Sequence, residues 1–390
     1  MNLIDKYQHI KFRKHWLFVN DSLFLLGQCE ALVRSISNTP ILPEKHEGLL
    51  ELSLMRGAQS TTAIEGNTLS EADILRIRNG ERMPPSRAYQ ETEVRNVLDA
   101  FNLLLKEIIA EDHSERITPG LIMRLHKMVG KDLGEHLDAI PGRFRTDNRI
   151  VGTYRCPDHE DVPELMENYC RWLLEEFHYP AGQSFAAVVT EAIVAHVYLE
   201  WIHPFGDGNG RTGRLLEFYI LLRGGLPDIA SHILSNHYND TRPEYYRQLE
   251  NASRTRDLSE FIHYALQGLR DGLVQVLDVV QESQFSITWQ KFIYDRLGSK
   301  TYKQRDTYER QRELMLAFPV NKTLLLSDLD LLTPIVAKLY AKVHERTLRR
   351  DVEELTALGL LVAEEKGWRV ASEQVQGLIA RKKFATSPQQ

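Results

Sequence analysis

The chain has 390 residues, 43% of them hydrophobic and 26% charged, a profile that suits a soluble globular protein with two or three domains. Its net charge of -6 excludes a whole-molecule positive field that would draw it to nucleic acid or to an anionic membrane. Three cysteines without CxxC spacing argue against a disulfide framework and a structural zinc site. With no apolar N-terminal signal and no stretch of about 18 apolar residues, we expect a cytoplasmic protein that does not enter a membrane.

Most of the first 260 residues carry apolar side chains at helical spacing. Ser70 precedes Asp73 by three residues and predicts the start of a helix that closes at Gly80, while Thr118-Pro119 predicts another that closes at Gly130. The apolar stretch 185–201 predicts a helix that leads into a glycine-rich loop. Before residue 300, only residues 149–157 have the pattern of a short hairpin. The sequence therefore predicts a mainly α fold.

Past Leu258 a long helix is predicted to continue to about Glu282, followed by a second that Gly298-Ser299 interrupts. The pattern changes from about Val320. Short helices, an amphipathic helix over 345–358 and a hairpin turning at Lys366-Gly367 then follow, in the order typical of a winged helix-turn-helix. We expect four parts: an N-terminal helical region 1–110, a core 111–285, a helical linker 286–318 and a winged helix domain 319–390.

The loop between two of the predicted helices concentrates groups that suit phosphate chemistry. Residues 203–214 read HPFGDGNGRTGR. Gly208 and Gly210 flank Asn209 just before a helix, so unobstructed backbone N–H groups and the positive end of the helix dipole can face an anion. The loop lacks the GK[ST] ending of a Walker loop and the preceding strand of a Rossmann turn. We interpret it as a phosphate cradle of another kind.

Charged side chains complete this loop. Arg211 and Arg214 are three residues apart, so both can reach successive phosphates from one side of the helix. Asp207 offers a hard oxygen ligand for Mg²⁺, and His203 can accept a proton near neutral pH. Each residue alone is more often structural, but their combination within twelve residues predicts phosphoryl or nucleotidyl transfer to a hydroxyl.

The segment resembles the signature HxFx[DE]GNGRxxR of Fic domains at every defined position, and the similarity extends over about residues 20–260. It implies an all-α Fic fold with a short β-hairpin flap and a protein adenylyltransferase that moves AMP from ATP to a Ser, Thr or Tyr hydroxyl of a protein target. His203 would deprotonate the hydroxyl and Asp207 would hold Mg²⁺. The remaining signature residues would bind the nucleotide: Gly208, Asn209 and Gly210 as the anion hole, Arg211 and Arg214 on the distal phosphates, and Thr212 and Gly213 between them.

A second motif lies upstream. Residues 61–67, TTAIEGN, resemble the inhibitory motif [ST]xxxE[GN] of many Fic proteins, with Thr61, Glu65 and Gly66 at its defined positions. The resemblance implies that Glu65 pairs with Arg214 and prevents the γ-phosphate of ATP from docking. In some relatives the same glutamate aligns a water molecule that removes AMP, so deadenylylation is an alternative outcome.

Two looser matches extend the resemblance. Val151, Gly152, Thr153 and Tyr154 resemble the flap, which would align an extended target segment by strand addition. Tyr245 and Tyr246 resemble the aromatic pair beside adenine, and Ser253 stands where a further nucleotide contact is common. The competing interpretations are a buried core pair for the tyrosines and an ordinary turn for the flap.

Other readings stay open. Phosphotransfer is typical of Doc-like relatives, which resemble HxFxxANGR, whereas Gly208 fits the adenylyl-transferring pattern. A non-enzymatic alternative is a transcriptional regulator that senses ATP. In the C-terminal region 319–371, Arg346, Arg349 and Arg350 could contact DNA, but nearby acidic residues make protein docking or homodimer formation equally plausible: Glu345, Asp351, Glu353, Glu354, Glu364 and Glu365.

Overall fold

The computed structural model describes residues 3–177, 179, 185–302, 305–320 and 322–376. Within these ranges the protein is mainly helical and has two small antiparallel sheets of two strands each, which confirms the predicted fold class. The chain divides into two compact units, Met1–Asp278 and Val279–Gln390. The finer boundaries at 110, 285 and 318 stay a prediction, and residues 377–390 of the predicted last domain lie outside the described residues.

The first unit is a helical body with one short hairpin. Its elements in chain order are α1 (Leu3–Lys6), α2 (Asn20–Asn38), α3 (Pro43–Ala63), α4 (Glu71–Arg78), α5 (Ala88–Leu105), α6 (Pro119–Val129), β1 (Ile150–Val151), β2 (Tyr154–Arg155), α7 (Val162–Glu176), α8 (Phe185–Ile202), α9 (Asn209–Arg223), α10 (Ile233–Asp240) and α11 (Arg242–Thr255).

The predicted helix ends agree with the caps. The side chain of Ser70 accepts from the backbone N–H of Asp73, whose carboxylate accepts in return from the Ser70 N–H, and α4 follows. Thr118 caps α6 in the same way by accepting from the Leu121 N–H, and Gly130 ends that helix. These local signals set where α4 and α6 begin.

Helix α8 forms the centre of the first unit. Because it is 18 residues long and strongly apolar, it meets the length and composition of a membrane span, so the expectation that no stretch does so was wrong. However, 78% of it is buried inside the protein. It serves as a core helix, and α9 packs along it while also contacting α3, α5 and α6.

Helix α12 (Ser259–Gly298) runs across the boundary between the two units. The prediction of a helix end near Glu282 was wrong, because residues 283–297 contain neither glycine nor proline to interrupt the helix. Of the residues predicted as a linker, 286–298 and 305–317 are helical, and Trp289, Ile293 and Leu314 among them belong to the hydrophobic core of the second unit.

The second unit continues with α13 (Arg305–Ala317), α14 (Leu326–Leu329), α15 (Pro334–Tyr340), α16 (Glu345–Ala357), β3 (Leu361–Glu364), β4 (Gly367–Val370) and α17 (Glu373–Gln376). Strands β3 and β4 pair antiparallel, with Glu364 opposite Gly367. The hairpin therefore turns at Glu365-Lys366, one residue before the predicted position. The order of elements matches the predicted one, and the winged helix assignment stays a prediction.

Candidate active site at the start of helix α9

A loop of six residues joins α8 to α9 and is closed by the side chain of Asn209. Its Oδ1 accepts from the backbone N–H of Phe205 and its Nδ2 donates to the Phe205 carbonyl, both at 2.9 Å. Gly208 just before the helix has φ +78°, a left-handed conformation that favours glycine. The loop is thus held in one shape, and the first amides of α9, which have no partner within the helix, face out of its N-terminus.

The carboxylate of Glu65 lies against this helix start. A Cβ atom added to Gly210 would stand 2.1 Å from Glu65 Oε1, so only glycine leaves room for the carboxylate there. The N-terminus of a helix attracts anions through its free N–H groups and its dipole. Glu65 therefore occupies a place that suits a phosphate group.

Glu65 also pairs with Arg214. Nη2 of Arg214 lies 2.5 Å from Glu65 Oε1 and donates to the Thr61 carbonyl at 2.9 Å. The arginine side chain is 1% exposed and that of Glu65 33%. Burial alone would raise the pKa of Glu65, but Arg214, followed by Arg211 and His203, outweighs it, so this pKa lies below its usual value. The two arginines, His203 and the carboxylate share one small region.

Arg211 bridges two carboxylates. Its Nη1 donates to Glu93 Oε1 at 2.7 Å and its Nη2 to Asp207 Oδ1 at 3.3 Å. The Nε atoms of Arg211 and Arg214 are buried, and the described structure gives neither of them a hydrogen-bond partner. Each guanidinium therefore keeps an N–H group that could donate a hydrogen bond to a phosphate oxygen.

Asp207 is the one acidic residue of the loop, and 38% of its side chain is exposed. One of its oxygens accepts from the Gly208 N–H at 2.5 Å. Over the described residues, no three His, Cys, Asp or Glu side chains come together as a metal site. Mg²⁺ needs only one or two protein carboxylates, because phosphate oxygens and water fill its other positions; binding of this ion by Asp207 stays a prediction.

His203 begins the loop in an unusual backbone conformation, with φ +49°. Burial and the charge of Arg145 together lower the pKa of its imidazole to about 4, against a hydrogen bond to the Glu200 carbonyl and the charges of Glu65 and Asp207, which raise it. The ring is therefore neutral at pH 7 and can accept a proton.

Comparison with known proteins agrees with this geometry. Residues 116–221 match the model of the Fic/DOC family. This segment is similar to a Fic domain. It is 30% identical over 228 residues to protein adenylyltransferase fic-1 of Caenorhabditis elegans, covering 58% of this chain and 42% of that protein, and 33% identical over 206 residues to protein adenylyltransferase Fic of Drosophila ananassae, covering 52% and 38%. The chain thus spans less than half the length of these curated relatives.

Solved structures show the same fold. A Fic family protein from Desulfovibrio desulfuricans aligns over 92% of this chain and 98% of its own, with a TM-score of 0.56 and 19% identity. Fic-1 of Caenorhabditis elegans aligns over 67% of this chain and 73% of its own, with a TM-score of 0.54 and 24% identity. At these identities the likeness concerns the fold alone.

The residues predicted as a flap form the hairpin β1–β2, in which Val151 pairs with Tyr154 across Gly152 and Thr153. The Tyr154 hydroxyl donates to the Trp201 carbonyl at 2.6 Å, just before the loop that joins α8 to α9. Val151 is 48% exposed. The hairpin is therefore held through Tyr154, while both residues of β1 stay exposed.

The predicted adenine contacts divide into two kinds. Tyr245 is fully buried, and its hydroxyl lies 2.9 Å from His196 Nε2, as expected for a core residue. Tyr246 is 46% exposed and donates to the Ile64 carbonyl at 3.2 Å, beside Glu65. Ser253 donates to the Glu250 carbonyl of its own helix, and its predicted contact with the nucleotide stays a prediction.

Other residues of the two motifs point elsewhere. The Thr212 hydroxyl is buried and donates to the Gly208 carbonyl at 2.8 Å. A Cβ atom on Gly213 would meet His196 and Glu200 of α8, so both residues belong to the packing of α9. Gly66 has φ +99° and follows Glu65 in a turn, while the Thr61 carbonyl, as noted, binds Arg214.

Three residues that hold this site were not predicted from the sequence. Glu93 of α5 binds Arg211 and accepts from Asn67 Nδ2 at 3.0 Å. His126 of α6 stacks on Phe205 at 3.7 Å and lies 2.9 Å from the Asp207 carbonyl. The third is Arg145, described below. Glu93 and His126 could have been predicted as functional, because each is a charged or polar residue on the apolar face of a predicted helix. The pattern does not indicate which residues they contact.

Proposed function

We propose that this protein transfers AMP from ATP to a hydroxyl of a Ser, Thr or Tyr side chain on a protein target, or on itself, in the cytoplasm. The names of the curated relatives and the phosphate cradle at α9 support this proposal. The strongest support is the position of the Glu65 carboxylate at the N-terminus of α9, because a carboxylate bound there indicates an anion-binding site.

In the proposed reaction, neutral His203 accepts the proton of the target hydroxyl. The hydroxyl oxygen forms a bond to the α-phosphorus of ATP, and the bond from that phosphorus to the bridging oxygen of the β-phosphate breaks, releasing pyrophosphate. The first amides of α9 stabilise charge on the phosphate oxygens, and the free donors of Arg211 and Arg214 hold the distal phosphates. Mg²⁺ held by Asp207 would neutralise charge on the phosphate chain.

We infer that Glu65 inhibits this reaction. Its carboxylate lies where a phosphate would bind and engages Nη2 of Arg214, so ATP must displace it before the γ-phosphate can dock. A buried arginine can exchange one anionic partner for another at little cost, but the first anion must leave before the second can bind. The same carboxylate could orient a water molecule, which keeps removal of AMP as the alternative activity at this site.

The test replaces Glu65 by glycine. We expect Glu65→Gly to raise AMP transfer roughly 10- to 100-fold, since a charge-assisted hydrogen bond contributes about 1.5–3 kcal/mol. Incorporation of label from α-³²P-ATP into protein measures it. Glu81→Gly removes an exposed turn glutamate and is the matched control. Label transferred from γ-³²P-ATP would instead indicate a kinase, and no transfer from either would favour an ATP-sensing regulator.

A second proposed function concerns residues 319–371, which we infer contact duplex DNA. Of the six acidic residues near the arginines of α16, three bind groups of their own unit: Asp351 accepts from Arg310, Glu354 from Lys300 and Glu364 from Arg369. Within the described residues, Arg346, Arg349 and Arg350 are exposed and make no ion pair within 4 Å. Their charge is thus available for phosphates.

A further inference from the structure

Arg145 lies between the base of the flap and the catalytic loop. Its residue is 6% exposed. Nε donates to the His203 carbonyl at 2.8 Å, Nη1 to the Asp147 carbonyl at 2.7 Å and Nη2 to the Pro157 carbonyl at 2.5 Å. Its backbone N–H donates to the Pro204 carbonyl at 2.9 Å. One side chain therefore ties both ends of the hairpin segment to the residue that carries the imidazole.

This arrangement is energetically expensive. No ion pair of Arg145 occurs among the described residues, so its buried charge is compensated by carbonyl dipoles. Burial accordingly lowers the pKa of the guanidinium from its usual value. A planar fork with five donors can bind three carbonyls in three directions, which a lysine ammonium on a flexible stem cannot do in one fixed geometry. Simple loop packing would not require a buried cation.

The bond to the His203 carbonyl fixes a strained backbone. At φ +49°, His203 adopts a left-handed conformation that a non-glycine residue rarely holds without support. Its N–H donates to the Leu199 carbonyl at the end of α8, and its carbonyl is held by Arg145. Because both peptide groups are held, the direction of the Cα–Cβ bond and hence of the imidazole is set.

We propose that Arg145 is a positioning residue that orients His203 and couples this orientation to the base of the flap. The inference rests on the proposed AMP transfer, in which His203 accepts the proton. A misplacement of about 1 Å at a reacting group costs on the order of 100-fold in rate. Arg145 thereby links the segment expected to hold the target to the base that acts on it.

The charge of Arg145 gives this role a separate signature. Burial of the His203 imidazole and then the charge of Arg145 lower the pKa of this ring. The Glu200 carbonyl, Glu65 and Asp207 raise it. Loss of the arginine charge must therefore raise the His203 pKa, whereas loss of the three hydrogen bonds alone need not. Two substitutions of Arg145 can therefore separate the effect of its charge from the effect of its hydrogen-bond geometry.

The experiment places Arg145→Gln and Arg145→Lys in the Glu65→Gly background. Arg145→Gln should lower kcat roughly 10- to 100-fold, leave KM for ATP within about threefold and move the acid limb of the pH–rate profile to higher pH. Arg145→Lys should lower kcat while the acid limb stays in place. Arg143→Gln, an exposed arginine two residues earlier on the same segment, is the matched control and should change neither.

The His203 pKa is also measured without turnover, by NMR titration of ¹³C-histidine protein with the signal assigned through His203→Ala. Thermal unfolding of each variant reports its folded fraction. A kcat of Arg145→Gln within twofold of the background, or an unshifted His203 titration in folded protein, would overturn the inference. Failure of Glu65→Gly itself to transfer AMP would count against the proposed function, and the titration would still decide the role of Arg145.

Discussion

Two helices of this protein begin with arginines three residues apart, and the two pairs have opposite fates. On α9, Arg211 and Arg214 are 2% and 1% exposed, and each binds a carboxylate from a distant segment. On α16, Arg346 and Arg349 are exposed, and the described structure gives neither an ion-pair partner. The same spacing thus produces a buried anion site in one case and a free cationic surface in the other.

The surroundings of each helix cause the difference. Helix α9 is covered by α3, α5, α6 and α8, so its polar residues must find partners inside the protein. Helix α16 buries one stripe, with Leu348, Val352 and Leu355, and leaves its other face to solvent. Sequence spacing shows which side chains share a helix face, but coverage by other elements decides whether their charges are paired.

The sharpest test of this comparison is the stability of matched arginine variants. Arg214→Ala leaves Glu65 without its cation, and we expect the free energy of unfolding to fall by about 2–4 kcal/mol, below the usual range for a fully buried pair because a third of Glu65 is exposed. Arg349→Ala should change it by less than about 0.5 kcal/mol. Urea unfolding followed by circular dichroism measures both.

A control separates loss of the pair from loss of packing. In Glu65→Gln/Arg214→Met, neither side chain is charged and much of the buried volume is kept, so most of the stability should return. Equal losses in Arg214→Ala and Arg349→Ala would contradict the contrast between the two helices. The same result would remove the basis for treating the α9 arginine as a buried cation held by Glu65.

Acidic residues on the two helices give the next test. On α9, Glu217 is fully buried and accepts from the Tyr238 hydroxyl, and burial raises its pKa to about 8. On α16, burial would also raise the pKa of Glu354, but Lys300 and Gln311 outweigh it and lower this pKa. The covered helix therefore keeps a neutral acid and the open helix a charged one.

The pH dependence of stability follows from the sign of these shifts. Because the folded pKa of Glu217 lies above its unfolded value, its contribution to stability is fully present below about pH 4.5 and is lost as the pH rises through about 8. Glu217→Gln cannot release this proton, so between pH 5 and 8 the wild type should lose about 1–3 kcal/mol relative to the variant. If the free energies of unfolding of the two proteins changed with pH in parallel, the pKa of Glu217 would not be raised in the folded state, and the prediction would be wrong.

Local chemistry explains which parts of this structure could be predicted. The Ser70 and Thr118 caps and the glycine-rich loop between two helices depend on neighbours within a few residues, and the structure agrees with them. The pairing of Arg211 with Glu93 joins residues 118 positions apart, and no periodicity in one sequence specifies it. The Glu65–Arg214 contact was expected only because the motif containing Glu65 resembled a family pattern, since nothing else in the chain relates residue 65 to residue 214.

The smallest expected effect concerns the free arginines of α16. If they contact phosphates, Arg349→Ala should weaken binding of the full-length protein to duplex DNA only a few-fold at low salt and reduce the slope of log K against log salt by about 1. Fluorescence anisotropy with labelled duplex pools at several salt concentrations measures both quantities. Arg369→Ala is the control, because that arginine already pairs with Glu364 and Glu373; it should leave the slope unchanged. Absence of binding at low salt would instead favour a protein-docking or dimer surface, which sedimentation of wild type and Arg349→Ala would then distinguish.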